Sequence, residues 1–464
     1  MKKTILMVLM LIFSSSYIFA ETSLEGELKS DIRAKLKKGD YLYNEENLLL
    51  KYKADLSDNL AGYASLNFRY QNFSDITFPS DLNNRYNVEP LELQLKEAYI
   101  DYYGFLFKKL DLRAGKQRIA WGTADKMNPT DNLNPDDLTD IFDFGEKIPT
   151  PAVKATFYLN DDFSIQGIWL PYFTPARFSD NEFNYSAMLD ANLSTQILAQ
   201  LTGMGLPASI SSINGTIEMP EKKAKNSMYA FKLSGKLFGF DFSLSYFKGY
   251  DDVPIMKELN INALNPLNTS ISYNMIYPEI QVIGLDTAGE LFEVGVWAEA
   301  ACFIPKEVKT VSTITIPAPP FTIQSTNTAL DKEPYFKYTI GFDYTFKNGV
   351  YINSQFIHGF FIERGYHQEK PQDYIVARVE KKFFDDKLKV GLNGVVGVKD
   401  LDRAEKFKDV KKKSGNMWGP EITYYPADST ELTLGCMVIE GSNDTFFGRM
   451  KDDDQAYIKF KLYF

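Results

Sequence analysis

The chain has 464 residues, with 61 acidic against 51 basic side chains for a net charge of −10, and it carries 35 Phe, 28 Tyr and 4 Trp. An acidic balance with no basic tract excludes a nucleic-acid partner, and after residue 20 no run of about 18 apolar residues exists from which to build a membrane-spanning helix. The histidines are His358 and His367, too few for a histidine-rich metal centre.

Residues 1–20 read as a signal peptide. Met1-Lys2-Lys3 is a basic start, Ile5 to Phe13 is apolar, and Ser14 to Ser16 lead to Tyr17-Ile18-Phe19-Ala20, with cleavage placed after Ala20. The apolar run is too short to span a bilayer stably. Removing it takes Lys2 and Lys3 and leaves 49 basic against 61 acidic residues, a net charge of −12. The exported part, residues 21–464, reads as one domain, because candidate strands follow one another with no linker or break in composition.

The first strand is the cleanest. Leu24, Gly26, Leu28, Ser30, Ile32, Ala34 and Leu36 alternate with Glu25, Glu27, Lys29, Asp31, Arg33, Lys35 and Lys37. This period of two is as long as a tilted membrane strand requires, and a helix would scatter the charges round its surface. Similar segments follow at 48–56, 61–71, 93–103, 109–115, 153–159, 164–170, 229–236, 241–247, 279–286 and 291–303. The remainder lie at 335–346, 351–360, 373–383, 387–398, 417–425, 431–439 and 455–464. The expected count is eighteen, with sixteen as the alternative because the pairs flanking the longest connections are weak.

The connections alternate in length. Short turns fall at 57–59, 104–105, 160–162, 238–239, 287–289, 347–349, 385–386 and 427–429, several with the Asn-Gly or Asp chemistry of tight hairpins. Long segments lie between them, at 72–92, 116–152, 171–228, 248–278 and 304–334. The pattern is that of an all-β, transmembrane antiparallel β-barrel with periplasmic turns and long external loops in a bacterial outer membrane. A soluble solenoid or sandwich would show evenly spaced turns and no such alternation. Cys302 and Cys436 fall on strands six apart, too far to bridge, and read as small lipid-facing residues.

The most distinctive stretch begins with Glu97-Ala98-Tyr99. It continues through Gly115-Lys116-Gln117-Arg118-Ile119-Ala120-Trp121-Gly122 to Asn128-Pro129-Thr130-Asp131, then Pro149-Thr150-Pro151-Ala152 and Trp169-Leu170-Pro171-Tyr172. Over residues 92–178 it resembles a large family of Gram-negative outer-membrane barrels of mostly unassigned function, similar in style to the alginate-export porins. Members show a Glu-Ala-Tyr strand, a Gly-x-Gln-x-x-x-Trp-Gly strand end and an Asn-Pro-x-Asp loop. The resemblance implies a channel or transport barrel and does not fix its substrate.

Asp111, Arg113, Gly115 and Gln117 share one strand face and should look into the lumen, opposite Leu110, Leu112 and Ala114. The segment 117–150 is too long for a hairpin, and its prolines and Asp/Asn residues suit a compact structure folded inward across the pore. Arg113, Gln117, Arg118 and Trp121 against Asp125, Asp131, Asp136 and Asp137 are the candidate pore residues. The alternative is that this segment only braces the wall. The acidic run 131–140 lacks the Asp-x-Asp-x-Asp-Gly spacing of a dedicated calcium loop, and neither metal nor cofactor is expected.

Leu189, Leu193, Ile197 and Leu201 recur every four residues, so a short amphipathic helix is expected inside an external loop, ended by Gly203 and Gly205. With the apolar stretch from Ile314 to Ile323 it forms either a lid for a hydrophobic substrate or a small loop core. His358 stands four residues after Ser354 on one strand face, which is similar to outer-membrane phospholipases, but their His-x-Ser-Asn-Gly signature is missing and Gly359-Phe360-Phe361 follows instead; it reads as an aromatic-girdle residue.

The last strand alternates Ala456, Ile458, Phe460, Leu462 and Phe464 with Tyr457, Lys459, Lys461 and Tyr463. Phe460, Leu462 and Phe464 resemble the C-terminal signature read by the barrel-assembly machinery. Pairing with the first strand would set Lys459 and Lys461 against Glu25, Glu27 and Asp31. The function these readings favour is a porin-like channel for passive passage of small polar or anionic solutes, not an enzyme. A transporter for hydrophobic compounds gated by the 188–201 helix is the alternative, and an outer-membrane lipid hydrolase a remote one. Outer-membrane lipid and lipopolysaccharide are the other expected partners; the oligomeric state is not legible.

Overall fold

The computed structural model describes residues 21–464 apart from 141, 144, 180–184, 204–208, 266–267, 318–319, 366–369, 402–406 and 444. The signal segment 1–20, Gly205 and His367 therefore lie outside the described residues. Eighteen strands form one sheet. They are β1 (Glu21–Lys35), β2 (Tyr41–Ser57), β3 (Leu60–Gln71), β4 (Leu91–Tyr102), β5 (Leu110–Gln117), β6 (Thr150–Tyr158), β7 (Phe163–Leu170), β8 (Met228–Leu237) and β9 (Phe240–Tyr250). The second half comprises β10 (Glu279–Leu291), β11 (Val294–Pro305), β12 (Tyr335–Thr345), β13 (Val350–His358), β14 (Asp373–Phe383), β15 (Leu388–Val398), β16 (Ser414–Ala427), β17 (Thr430–Gly441) and β18 (Gln455–Tyr463). Each pairs antiparallel with its neighbours in the sequence, and β1 pairs with β18 from Glu27↔Tyr463 to Lys35↔Gln455, so the barrel is closed and has no edge. Eighteen, not sixteen, is the count.

Alternation decides which side chains meet which medium. Outward rows such as Leu93, Phe231, Leu244, Ile340 and Leu434 are apolar and exposed, while inward rows carry the buried polar set of Glu45, Ser65, Asn67, Asp286 and Glu299. Cys302 and Cys436 are both unpaired to each other, opposite the outward-facing Ile283 and Ala456. At the seam Lys459 lies 3.5 Å from Asp31. The remainder of the expected charge match is corrected by the register: Lys461 stands opposite Lys29, Tyr463 opposite Glu27, and Glu25 precedes the paired stretch.

Three other expectations are corrected. Strand β2 starts at Tyr41 rather than Leu48, because Asn44, Glu45 and Asn47, polar enough to resemble a loop, continue the ladder with β1. The turn expected at 287–289 lies instead at Phe292-Glu293, since Thr287, Ala288 and Gly289 remain paired to Ala298, Trp297 and Val296. The long connections are also more ordered than their polarity suggests. Ile210–Glu218, Ile255–Asn265, Asn268–Ile276, Val308–Pro317 and Pro320–Leu330 form a separate five-stranded sheet. Across it Ile213, Ile271, Ile261, Ile314 and Ile323 stand in one register row. They pack with Leu193, Ile197 and Leu201 of the helix Tyr185–Gly203. The helix is where its four-residue repeat placed it, and its apolar side belongs to a loop core.

Candidate functional site

Gln117 ends β5 at the point where the chain leaves the wall. Its side chain is fully buried and its amide donates to the carbonyl oxygens of Ala152 (2.9 Å) and Gly115 (3.3 Å). Asn134, further along the segment, ties the two ends of the excursion together. Its amide donates to the carbonyls of Gln117 and Ile148, both at 3.1 Å, and to Thr150 Oγ1 at 3.0 Å; its Oδ1 accepts from Ile119 N at 2.8 Å. Arg118 turns inward to pair with Asp131, and its backbone N–H donates to Glu97 Oε1 at 2.7 Å. The excursion is thus closed at its neck by side-chain bonds to backbone, with the buried Gln117 Oε1 left without a hydrogen-bond donor.

From that neck the segment crosses the lumen. Glu299 on β11, 2% exposed, receives it. Its carboxylate accepts from the backbone N–H of Thr123 and of Ala124 (2.5 Å), from Asn128 Nδ2 (2.9 Å) and from Thr130 Oγ1 (3.0 Å). Gln355 on β13 clasps one residue from both sides: its Oε1 accepts from Asp125 N at 3.2 Å, and its Nε2 donates to Asp125 O at 2.8 Å. Thr339 on β12 donates to Met127 O at 3.0 Å. At the far side Arg33 on β1 pairs with Asp140 and with Asp31, the latter at 2.8 Å, and Arg69 on β3 donates to Thr139 Oγ1 at 3.4 Å and to Glu45 at 2.9 Å. Bonds to β1 and β3 on one side and to β11, β12 and β13 on the other place this segment across the barrel interior. Burial raises the cost of the Asp140 charge, yet the Arg33 guanidinium and its hydrogen bond outweigh that and hold the carboxyl well below the usual carboxylate range.

The two sides of this crossing differ in chemistry. Ile119, Trp121 and Leu133 pack into an apolar cluster with inward residues of β7 to β12, among them Ile168, Leu170, Phe247, Val282 and Phe303. Met127 and Phe142 meet a second cluster with Ile357, Tyr374, Val395 and Ile439. On the β18–β1–β3 side the contact is ionic instead, through Lys459, Asp31, Lys29, Arg33, Glu45, Arg69 and Asp140.

The expected residues divide accordingly. Gln117, Arg118 and Asp131 come together around Asn134; Trp121 lies in the apolar cluster, where its Nε1 donates to Gln166 at 3.3 Å and its ring lies 5.7 Å from Lys232 Nζ. Asp125 contributes its backbone. Asp136 pairs with Lys147 at 2.6 Å, and Asp137 Oδ1 accepts from Thr139 Oγ1 at 2.7 Å. Arg113 stays apart from these acids, paired at 2.6 Å with Asp101 on the neighbouring strand and stacked 4.0 Å over Tyr99. Glu299, Gln355, Arg33, Arg69, Glu45 and Asp140 were not among the expected pore residues. Asp140 lies within the acidic run 131–140 of the segment; the one signal of the other five was polar identity at an inward strand position, which many side chains share.

Asp252, in the connection after β9, keeps some accessible surface yet sits deep among the loops, where its Oδ2 accepts from Asp136 N at 2.7 Å. Burial and the nearby Asp136 charge push its carboxyl up to about 7 against the opposing pull of Lys147. The neighbouring Asp251 pairs with Arg364. Among the described residues no three His, Cys, Asp or Glu side chains are grouped to hold a metal ion. His358 Nδ1 lies 2.7 Å from Asp373 Oδ1, and its ring stacks on Tyr338 at 4.9 Å. Ser354, four residues back along the strand, is roughly 13 Å away by strand rise and donates instead to Val376 O. Ser354 therefore does not join that pair.

The motif residues acquire physical reasons here. Gly115 has φ +137, and a Cβ on it would stand 2.3 Å from Ala98 O; Gly122 has φ +89, and a Cβ there would meet Glu299 Oε1 at 2.5 Å. Asn128 serves Glu299 and Asp131 serves Arg118.

Fold and site together define a closed eighteen-stranded β-barrel with an inward segment fastened across its interior. Residues 40–367 match the family model described as a protein of unknown function (DUF1302), and the chain belongs to that family. Among curated proteins none matches in sequence. Similar solved structures include Pseudomonas aeruginosa OccK3 (OpdO), at 8% identity over 96% of this chain and 95% of that one with a TM-score of 0.48. Acinetobacter baumannii OccAB3 is similar at 8% identity over 96% and 99% with a TM-score of 0.48. Pseudomonas aeruginosa OccD3 (OpdP) is similar at 9% identity over 96% and 91% with a TM-score of 0.47.

Proposed function

We propose that the chain is a porin-like channel of the bacterial outer membrane, with its short turns in the periplasm, passing small polar or anionic solutes passively. Segment 117–150 is its constriction. The observation that carries this reading is the crossing itself: one segment bonded to inward side chains on opposite sides of a closed barrel. The preference for anions rests on the ionic side of the crossing, where Lys29 and Lys459 keep 18% and 28% of their side chains exposed. On that side four cations, Lys29, Arg33, Arg69 and Lys459, stand against three acids, Asp31, Glu45 and Asp140, and a positive balance favours negative solutes over positive ones. The motif's likeness in style to alginate-export porins supports a channel. Catalysis is no part of this proposal.

The experiment is a bilayer recording in a salt gradient. A channel of this kind gives discrete conductance with a reversal potential on the anion side, shifted toward cations by Lys29→Glu or Lys459→Glu. A barrel that never conducts but binds apolar ligands would replace this proposal with the hydrophobic-compound transporter, whose expected lid, the helix near 188–201, instead packs against the five-stranded loop sheet.

A further inference from the structure

Four hairpins at the short-turn end carry a large apolar residue where a turn residue belongs. Leu106, Phe238, Phe292 and Phe384 have φ of +64, +54, +52 and +56, and they are 81%, 91%, 97% and 75% exposed. The left-handed region is costly for any residue with a bulky side chain, and Asn or Gly would adopt it with less strain. Each of these hairpins therefore holds an apolar side chain outward at the tip at a cost to its own turn.

These tips continue the lipid-facing rows. On β8 the outward row runs from Tyr229 through Phe231 and Leu233 to Leu237 and is followed by Phe238; on β10 it runs from Ile283 through Leu285, Thr287 and Gly289 to Leu291 and is followed by Phe292; on β14 it runs from Ile375 through Ala377, Val379 and Lys381, whose Nζ lies 5.4 Å over the Phe383 ring, to Phe383 and is followed by Phe384. Each row spans the same eight-residue step, roughly 20 Å along the membrane normal at about 3.3 Å per residue and about 40° of tilt. A barrel's apolar band is about 25 Å tall, so each row stops short by about the reach of one aromatic side chain. The tips lie between β4 and β5, β8 and β9, β10 and β11, and β14 and β15, over a little more than half of the rim. The strand rows they extend already face lipid, so the occupant that meets these tips is the lipid those rows meet.

We propose that Leu106, Phe238, Phe292 and Phe384 are membrane anchors that insert among the acyl chains of the leaflet at the short-turn end and complete the barrel's apolar belt. This rests on the membrane-barrel reading above. The test uses Trp169→Phe and Trp418→Phe together as a background that removes the lipid-facing tryptophans, with Phe238→Trp, Phe292→Trp or Phe384→Trp added singly. The proteins are reconstituted in phosphatidylcholine vesicles brominated near the headgroup end of the chains. Insertion predicts blue-shifted emission from each new tryptophan, quenching by the brominated lipid and protection from aqueous iodide. Quenching by iodide with none by bromine would overturn the proposal. The wild-type Trp169 and Trp418 should be quenched by bromine in either case; failure there would overturn the membrane reading itself. As a second measurement, replacing all three phenylalanines by Asn relieves the turns and shortens the belt. That variant should fold fastest in vesicles of shorter acyl chains than wild type prefers, and an unchanged preference would contradict the inference.

Discussion

Replacing Glu299 by Ala removes one carboxylate that four donors of the inward segment share. Hydrogen bonds to a charged group contribute about 1.5–3 kcal/mol each, and a buried donor left without a partner costs about 1–3 kcal/mol. The four share two oxygens and do not add, and Asn128 and Thr130 can turn to water once the site opens. The two backbone N–H groups of Thr123 and Ala124 have less freedom, so a loss of about 3–5 kcal/mol in fastening the segment is expected, a factor of about 10²–10⁴ in its release. The wall should survive, because Glu299 contributes its backbone pairing to Asp286 and Thr339 whatever its side chain. Glu299→Gln keeps the shape and one acceptor oxygen, and should cost about 1–2 kcal/mol. Single-channel conductance and trypsin cleavage after Lys126 should rise in the order wild type, Gln variant, Ala variant, with unchanged heat-modifiable gel mobility. If the Ala variant conducts like wild type and resists trypsin equally, Glu299 does not hold the segment and the reasoning fails.

Arg33→Met should destabilise the barrel, by less than the about 3–5 kcal/mol of a buried pair wholly broken, since it takes the guanidinium from between Asp31 and Asp140 and leaves Lys459, 3.5 Å from Asp31, as the nearest cation; urea unfolding from vesicles measures this, and the double change Arg33→Met with Asp140→Leu should recover part of it. Gly122→Ala should act like a weaker Glu299 variant, raising conductance, because its Cβ would press on the receiving carboxylate. Asp252 binds its proton more tightly folded than unfolded, with a folded value of about 7 against about 3.9 unfolded. Its contribution to stability is therefore full at low pH and declines as pH rises from about 4 to 7. Thermal unfolding should show that decline, flattened in Asp252→Asn; an equal slope in the variant would contradict it. Removing Phe464, whose backbone exchanges two hydrogen bonds with Gly26 at 2.7 and 3.0 Å, should slow insertion in cells more than it lowers the stability of barrel already assembled, as pulse-chase folding would report.

The wall of this barrel was legible because each medium repeats its demand every second residue. Leu24 to Lys37 could be read at a glance, and all eighteen strands fell in order. Where reading failed, a side chain answered to a tertiary partner rather than to the periodicity. Glu45 resembled loop until Lys29, Tyr43 and Arg69 surrounded it. The Phe292-Glu293 turn broke the chemistry that marks hairpins, whereas Thr287-Ala288-Gly289 carried it and stayed strand. The inward segment was visible from its length and prolines, and Arg118 with Asp131 from their charges. Glu299 was hidden, a lone acid between Ala298 and Ala300 on a strand far along the chain, whose importance depends on four donors more than 160 residues away.

The most direct measurement is the conductance of the wild-type barrel in a planar bilayer beside that of a variant in which a short Gly-Ser linker replaces residues 123–143. If the crossing segment is the constriction, the wild type gives small, anion-favouring steps and the variant gives conductance several-fold larger with weaker selectivity. Equal steps from both would place the constriction elsewhere and contradict the account.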